Sequence, residues 1–294
     1  MQDFTEEDNL GNGAYARVIR ATRKADGQAV AIKVVNKGHV MKHKKVKYVK
    51  TERDILMRLE ASPWVTDLYS TFQSRHELYY VMELCPHGEL QVQLERYATQ
   101  KGGVPLAAAV HWGAELTAAL ADLFAAGVIH RDLKPENVLV SESRHLKLCD
   151  FGTAKLVADA TPAAKESAPS GGGFSFVGSA DFVSPELLAD EPSAATAASD
   201  LWALGCIIYQ MLAGNPPFKN TEDPEFGPAR EYATMERIKV RPPSSWNYIL
   251  VAHHTRVRTL TSALHALRLE LRSTTSMAGL RSRRGFPTLG GLES

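Results

Sequence analysis

Two short runs about twenty residues apart constrain this chain more than any other feature: HRDLKPEN begins at His130 and DFG begins at Asp150. The first run holds Asp132, a candidate general base for a hydroxyl nucleophile, and Lys134, whose charge can neutralise a migrating phosphoryl group. Asn137 and Asp150 offer the side-chain oxygens that magnesium prefers. Each residue alone could be a solvated loop group, but the joint order and spacing are typical of phosphoryl transfer.

Composition limits the class of protein. The 294 residues are 44% hydrophobic and 23% charged, which suits one large or two small globular domains. A formal net charge of +1 gives no overall field that would favour nucleic acid, so we expect no such partner. Cys85, Cys149 and Cys206 are too few for a disulfide framework and lack zinc-site spacing, which favours a reducing compartment.

The N-terminus and the apolar stretches carry no targeting signal. Residues 1–8 are acidic and lack an apolar core, so they are not expected to form a signal peptide. The longest apolar stretch, Leu201 to Leu212, is too short to span a bilayer. We therefore expect a cytoplasmic protein without a transmembrane segment.

Charge changes abruptly near Val240. Residues 241–294 contain eight arginines and two glutamates but neither lysine nor aspartate, a local charge of +6 against −5 for residues 1–240. Such a shift indicates a domain boundary. We predict an Arg-rich tail over 241–294 that is either disordered or forms one amphipathic helix, since Leu260, Leu264, Leu267 and Leu271 recur at helical spacing.

The remaining pattern divides into a strand-rich and a helix-rich part. Ala29–Val35 and Leu78–Met82 resemble strands, and Lys44–Leu59 between them has helical spacing. Beyond Gly88 the chain becomes helical, with a buried helix predicted to end near Gly127. We predict an α+β fold with a first lobe over 1–84 and a second over 85–240.

Two features of the first part suit phosphate binding. Gly11 and Gly13 let backbone N–H groups approach phosphate oxygens, although a plain β-turn remains the alternative. Lys33 lies in an apolar strand and needs a partner if it is buried. Glu52 on the predicted helix is the natural partner, and an edge lysine that reaches water is the alternative.

Other runs of the second part have structural interpretations. The sequence predicts a helix start at Ser184–Glu186 and a buried helix that Asp200 caps at its N-terminus. Ala158 to Gly173 has too few apolar side chains to order itself.

Together these residues resemble the eukaryotic protein kinases over about Asp8 to Val240. The resemblance implies a bilobal fold with a small antiparallel β lobe and a helical C-lobe, the cofactors ATP and Mg²⁺, and transfer to serine or threonine, since Lys134 is typical of that branch. It implies the catalytic residues Asp132, Lys134, Asn137 and Lys33 and the metal ligands Asn137 and Asp150. It implies nucleotide contacts from Leu10, Gly11, Gly13, Val18, Ala31, Lys33, Glu52, Met82, Glu83, Cys85, Glu89, Glu136, Leu139 and Asp150.

Within that family the chain is similar to the phosphoinositide-dependent kinases that activate AGC kinases, by Tyr48–Asp54, Asp150–Lys155 and Ser199–Gln210. This likeness implies that Ser175 becomes phosphorylated and pairs with Arg131 and Lys155. It also implies a docking pocket for substrate kinases near Val40, Val49, Arg53 and Leu78. The alternative is that these residues merely pack helix against sheet.

The chain departs from the family pattern in three places. Ala16 replaces the third small loop residue, and Thr221 to Arg230 reads as an inserted surface loop. After Val240 we find no counterpart of the helices that should close the C-lobe or of the arginine that should pair with Glu186. An incomplete C-lobe is therefore one expectation from the sequence. A catalytically impaired docking module is therefore the alternative function, and residues 241–294 are too short for the family's lipid-binding domain.

Overall fold

The computed structural model describes part of the chain: residues 1–13, 16–157, 180–189, 195–220, 222–224 and 227–240. Ser175, the segment Ala158 to Gly173 and the predicted tail 241–294 lie outside the described residues. The chain divides into two compact units. The first comprises Met1–Gly88 with Leu139–Ala154, and the second comprises Glu89–Val138 with the described residues from Lys155 onward.

A five-stranded antiparallel sheet forms the first unit, in the order β1-β2-β3-β5-β4. Its strands are β1 (Phe4–Asn12), β2 (Ala16–Arg23), β3 (Ala29–Asn36), β4 (Leu68–Gln73) and β5 (Glu77–Glu83). Strand side chains alternate between the faces, and one face carries a buried apolar cluster. That cluster consists of Ile19, Ala21, Val30, Ile32, Val34, Tyr79 and Val81.

Two helices follow β3. Helix α1 (Lys37–Lys42) begins where the Asn36 side chain accepts a hydrogen bond from the His39 N–H at 2.9 Å. Helix α2 (Val46–Arg58) lies within the predicted helical stretch and buries residues at helical spacing. The Tyr80 hydroxyl of β5 donates to the Val49 carbonyl at 2.9 Å, which ties α2 to the sheet.

Short elements complete the first unit. Strand β7 (Val138–Val140) pairs with β8 (Leu146–Leu148), and a 3₁₀ turn (Phe151–Thr153) packs against α2.

Helices make up most of the second unit, as predicted, and its small sheet pairs β6 (Val128–Ile129) with β9 (Lys155–Leu156). The helices are α3 (Leu90–Lys101), α4 (Leu106–Ala125), α5 (Ala197–Ala213) and α6 (Pro228–Val240). Three 3₁₀ turns lie at Pro135–Asn137, Ala180–Phe182 and Pro185–Leu187. Helix α4 is the predicted buried helix, and it packs against α5. The predicted α+β class, with an antiparallel sheet and a helical part, is confirmed.

The start of α5 differs from the sequence expectation. Thr196 caps the helix: its side chain accepts from the Ala198 N–H at 3.2 Å, and the Ser199 hydroxyl accepts from the Thr196 N–H at 3.2 Å. The prediction that Asp200 caps this helix is wrong, because this capping box already satisfies the first turn. The Asp200 carboxylate is thereby available to accept hydrogen bonds from the backbone of His130 and Arg131, which begin the segment called catalytic below.

Helix α6 begins within the stretch Thr221 to Arg230, which the sequence predicted to be a surface loop. Pro228 is its first residue, and the N–H groups of Arg230 and Glu231 both donate to the Gly227 carbonyl. Proline suits a first helical position because its ring fixes φ and its missing N–H would have had no helical partner. Residues 228–230 are therefore helix and not surface loop. Within the described residues, no helix is long and apolar enough to cross a membrane.

Candidate active site

The strand register gathers several predicted nucleotide residues on one face of the first unit's sheet. Gly11 pairs with Val18, Val18 with Lys33, and Ala31 with Met82. Directly paired residues of antiparallel strands share a face. These side chains therefore lie on the face opposite the apolar cluster formed by Ile32 and its neighbours.

Beside that face lies an ion-paired lysine. The Lys33 amine on β3 is 2.5 Å from Oε1 of Glu52 on α2 and 3.5 Å from Oδ1 of Asp150. Glu52 is buried, whereas the Asp150 side chain is 52% exposed. Burial alone would lower the pKa of Lys33, but the two carboxylates outweigh burial and raise that pKa. The amine is thus a fixed positive charge.

Asp150 is held in an unusual backbone conformation. Its φ is 56° and its ψ 70°, a left-handed region that few residues other than glycine adopt. The next side chain, Phe151, is fully buried, and its turn packs against α2, which fixes the backbone next to Asp150. Strained residues of this kind concentrate at functional sites, where surrounding structure maintains them.

The remaining predicted nucleotide residues of the first unit differ in exposure. Leu10 is 50% exposed, and Leu139 is half-buried. The Glu83 carboxylate pairs with Lys147 at 2.6 Å, and its backbone N–H donates to the Asp67 carbonyl at 2.9 Å. Cys85 is buried, and burial raises the pKa of its thiol to about 12.

The candidate catalytic residues of the second unit form one hydrogen-bonded group. The Lys134 amine donates to both carboxylate oxygens of Asp132, at 2.9 and 3.1 Å. The Asn137 amide nitrogen donates to the Asp132 backbone carbonyl at 2.7 Å and to its carboxylate at 3.0 Å. Asp132 is thereby fixed by two neighbours. The predicted convergence of Lys33 and Asp150 with this group stays a prediction.

Sequence reasoning missed the main support of this segment. Asp200 accepts hydrogen bonds from the backbone N–H groups of His130, at 2.7 Å, and Arg131, at 2.9 Å. Arg131 has a φ of 68°, so the backbone before Asp132 also lies in the left-handed region. One signal was available. Thr196 and Ser199 form a capping box, so a buried aspartate in the same first helical turn has to accept hydrogen bonds from elsewhere.

Glu89 and Glu136 belong to the same unit. Glu136 lies in the 3₁₀ turn before Asn137, and burial, reinforced by Glu89 and Asp132 and opposed by Lys134, raises its pKa. Burial and Glu95 raise the pKa of Glu89. Glu89 is nevertheless exposed, so only the half-buried Glu136 carboxyl lies where a polar ligand group would compensate for lost hydration.

The predicted regulatory residues are only partly described. Lys155 on β9 pairs with Ile129 on β6, two residues before Arg131. This places Lys155 near the start of the catalytic segment. Arg131 and Lys155 were predicted to pair with phosphorylated Ser175. Because Ser175 lies outside the described residues, this stays a prediction.

The predicted docking residues are mostly interior. Val40, Val49 and Leu78 are buried, which agrees with the alternative that they pack helices against the sheet. Arg53 pairs with Asp54 at 2.6 Å, and its side chain is 19% exposed.

Glu186 has a partner that the sequence did not suggest. Its carboxylate accepts a hydrogen bond from the Ser199 hydroxyl at 3.0 Å, and the residue is half-buried. Within the described residues, this hydroxyl therefore takes the place of the arginine that the family pattern would supply.

Each unit offers groups that suit ATP with magnesium. Because the Asn137 amide nitrogen faces Asp132, its amide oxygen is directed away from those acceptors and suits a hard cation. Asp150 offers an exposed carboxylate beside a lysine whose charge suits phosphate.

Comparisons with known proteins agree with this geometry. The family profile described as "Protein kinase domain" matches residues 4–278. Serine/threonine-protein kinase PKH2 of Candida albicans is 42% identical over 81% of this chain and 24% of its own length. Human 3-phosphoinositide-dependent protein kinase 1 is 42% identical over 74% of this chain and 37% of its own length. Serine/threonine-protein kinase PKH1 of Saccharomyces cerevisiae is 38% identical over 81% of this chain and 30% of its own length.

The chain therefore belongs to the protein kinase family, and its similarity to the phosphoinositide-dependent kinases is confirmed. It spans between about a quarter and two-fifths of the length of these relatives.

Proposed function

We propose that this chain is a serine/threonine protein kinase, which transfers the γ-phosphoryl group of ATP to a hydroxyl group of a protein. The observation that carries the proposal is the Lys33 amine between the carboxylates of Glu52 and Asp150. A lysine fixed in this way positions phosphates, and a nearby exposed carboxylate suits their metal ion. Membership of the protein kinase family supports the same reaction.

Each catalytic residue has a proposed role. Asp132 orients the substrate hydroxyl and accepts its proton, which requires a fixed carboxylate. Lys134 and Asn137 supply that fixation through the hydrogen bonds described above, and Lys134 also offsets phosphoryl charge. This chemistry is mainly positioning and electrostatic stabilisation, so the rigidity of the Asp132 group supports the assignment.

The nucleotide site is proposed to use one face of the sheet. Gly11 and Gly13 would cover the phosphates, and Val18, Ala31 and Leu139 would contact the base. Glu83 and Cys85 would offer backbone groups, and Glu89 and Glu136 would contact the ribose side. Asn137 and Asp150 would hold magnesium, which neutralises phosphate charge when bound. The shared sheet face of Val18, Ala31 and Lys33 supports this arrangement.

The proposed substrates are AGC-type kinases, modified on their activation loops. This finer assignment comes from the sequence resemblance to phosphoinositide-dependent kinases. Docking near Val40, Val49, Arg53 and Leu78 would require a partner to reach side chains that are largely buried here. We also propose a cytoplasmic location, which is supported by the finding that none of the three cysteines forms a disulfide.

The impaired docking module is the weaker proposal. Missing closing helices were expected to expose four apolar residues of α5, but Leu204, Ile207 and Leu212 are buried and Ile208 is half-buried. Glu186, whose missing partner was the second reason, accepts from Ser199.

A phosphotransfer assay tests the proposal. Purified chain is incubated with labelled Mg-ATP and a peptide from an AGC-kinase activation loop. We expect transfer, and we expect Asp132→Asn to lower kcat by at least about 1,000-fold, because the proton acceptor loses its charge. The same chemical change at exposed Asp3 is the matched control. A thermal shift with Mg-ATP should persist in D132N, and full activity in that variant would refute the assignment.

A further inference from the structure

One ion pair in the second unit joins α6 to the turn at Ala180–Phe182. Arg230 Nη2 donates to Asp181 Oδ2 at 2.7 Å. The Arg230 side chain is 17% exposed and the Asp181 side chain 4%. The pair is therefore largely withdrawn from solvent, unlike the exposed Lys239–Glu236 pair on the same helix.

Each member of the pair gains from the contact. Arg230 lies in the first turn of α6, where the helix dipole disfavours a positive charge. Asp181 is buried, and a buried carboxylate is costly unless it is paired. Their contact offsets both costs, so this pair specifies where the Ala180–Phe182 turn meets the helix.

The helix that carries Arg230 is itself fixed. Arg237 lies seven residues further along, on the same face, and its Nε donates to the Phe218 carbonyl at 2.8 Å. Arg237 also pairs with Asp223, and Thr234 between the two arginines is buried. Arg230 therefore projects from a rigid element, as a positioning group requires.

The turn that holds Asp181 is connected to the catalytic segment through α5. The turn packs against α5, and two adjacent residues of that helix hold two other segments. Ser199 donates to Glu186, and Asp200 accepts from the backbone of His130 and Arg131. Residues 180–186 and the approach to Asp132 thus share one support.

We propose that Arg230 is a positioning residue for the protein substrate: through Asp181 it holds residues 180–184 in register with the segment that presents Asp132. This inference rests on the proposed kinase function. Among the residues that the structure describes, Arg230 bonds to neither the proposed nucleotide residues nor Asp132, so we expect its loss to affect the protein substrate and not ATP. Arg230 thereby anchors the segment that contains Glu186. The family pattern assigns that role to an arginine paired with Glu186 itself.

The test uses the full chain with three variants. Arg230→Met removes the charge, Arg230→Lys keeps it, and Lys239→Met is the control on the same helix. We expect R230M to lower kcat/KM for the protein substrate about 10- to 100-fold, because a small displacement of a positioning group costs about that much, while the KM for ATP stays within about twofold. R230K should recover most of the loss, and K239M should resemble the unaltered chain.

Hydrogen exchange provides a readout that does not depend on activity. We expect R230M to speed exchange of the amides at 180–184 at least about tenfold, with no matching change in α4. Unchanged exchange and unchanged protein-substrate kinetics in folded R230M would overturn the inference, as would equal losses for ATP and protein.

Failure of the unaltered chain to transfer phosphate would instead refute the kinase proposal, and exchange alone would then decide whether the pair holds the turn. Should R230M not fold, Asp181→Asn with Arg230→Gln preserves a neutral hydrogen bond. Rapid exchange at 180–184 in that folded double variant would support the inference, and exchange at the unaltered rate would overturn it.

Discussion

The amine of Lys33 lies 2.5 Å from the carboxylate of Glu52, although nineteen residues separate the two in sequence. The strand presents the lysine, the helix presents the glutamate, and Asp150 adds a second carboxylate at 3.5 Å. One cation, Lys33, therefore lies close to two anions, Glu52 and Asp150. Loss of the cation and loss of one anion should therefore have different consequences.

We predict that Lys33→Met destabilises the chain by about 3 kcal/mol, because it leaves two carboxylates close together, one of them buried. Glu52→Gln should cost less than about 1 kcal/mol, since Lys33 keeps Asp150 and the amide keeps a hydrogen-bond acceptor. Urea unfolding of both variants measures the difference, with Lys24→Met as an exposed control. Equal losses, or a larger loss in E52Q, would show that Asp150 does not share the lysine.

The second prediction concerns Asp200. Asp200→Asn should destabilise the chain by about 2–3 kcal/mol, because the carboxylate accepts two backbone hydrogen bonds and an amide oxygen replaces only part of that interaction. Phosphotransfer should fall further than stability explains, since the same bonds fix the backbone before Asp132. Urea unfolding and initial rates at a temperature well below unfolding separate the effects. If D200N matches D3N in both, Asp200 is not the support of this segment.

Local patterns predicted the elements better than the long-range pairs. The β3 and α4 assignments succeeded because side-chain periodicity is set within the element itself. The Lys33–Glu52 partnership was also expected, since a lysine within an apolar strand has to find an anion. Asp200 was misassigned because the backbone N–H group of His130 that donates to it lies seventy residues away, and only the packed helix brings the two together.

The Arg230–Asp181 pair was missed for the same reason, and its members are 49 residues apart. The stretch Thr221 to Arg230 was interpreted as a loop because it departs from the family pattern, which overlooked Pro228 as a helix-starting residue. Side chains whose function depends on a partner in another element are the ones that a single sequence conceals.

The third prediction concerns Asn137. Asn137→Asp should abolish activity without tightening magnesium binding, although added carboxylates usually strengthen such sites. The amide nitrogen donates to the backbone carbonyl and the carboxylate of Asp132, and an aspartate would offer an acceptor to both. Magnesium titration followed by thermal shift, together with initial rates, measures both effects. Asn137→Ala serves as a control that removes the donor without adding charge, and tighter magnesium binding in N137D would contradict this account.

The last prediction is a pH dependence at Glu136. Burial raises the pKa of this carboxyl above its ordinary value, so the folded chain binds a proton more tightly than the unfolded chain does. Stability from this group is therefore present at low pH and is lost as pH rises through the window that starts near the ordinary pKa of about 4.3. Glutamine stays neutral, so Glu136→Gln should stabilise the chain at pH 7 relative to its effect at pH 4. Urea unfolding at both values measures this, with the exposed residue Glu142→Gln as control. A stabilisation in E136Q that is larger at pH 4 than at pH 7 would mean that the carboxylate is favoured by its surroundings and that a neighbouring cation, not burial, governs it.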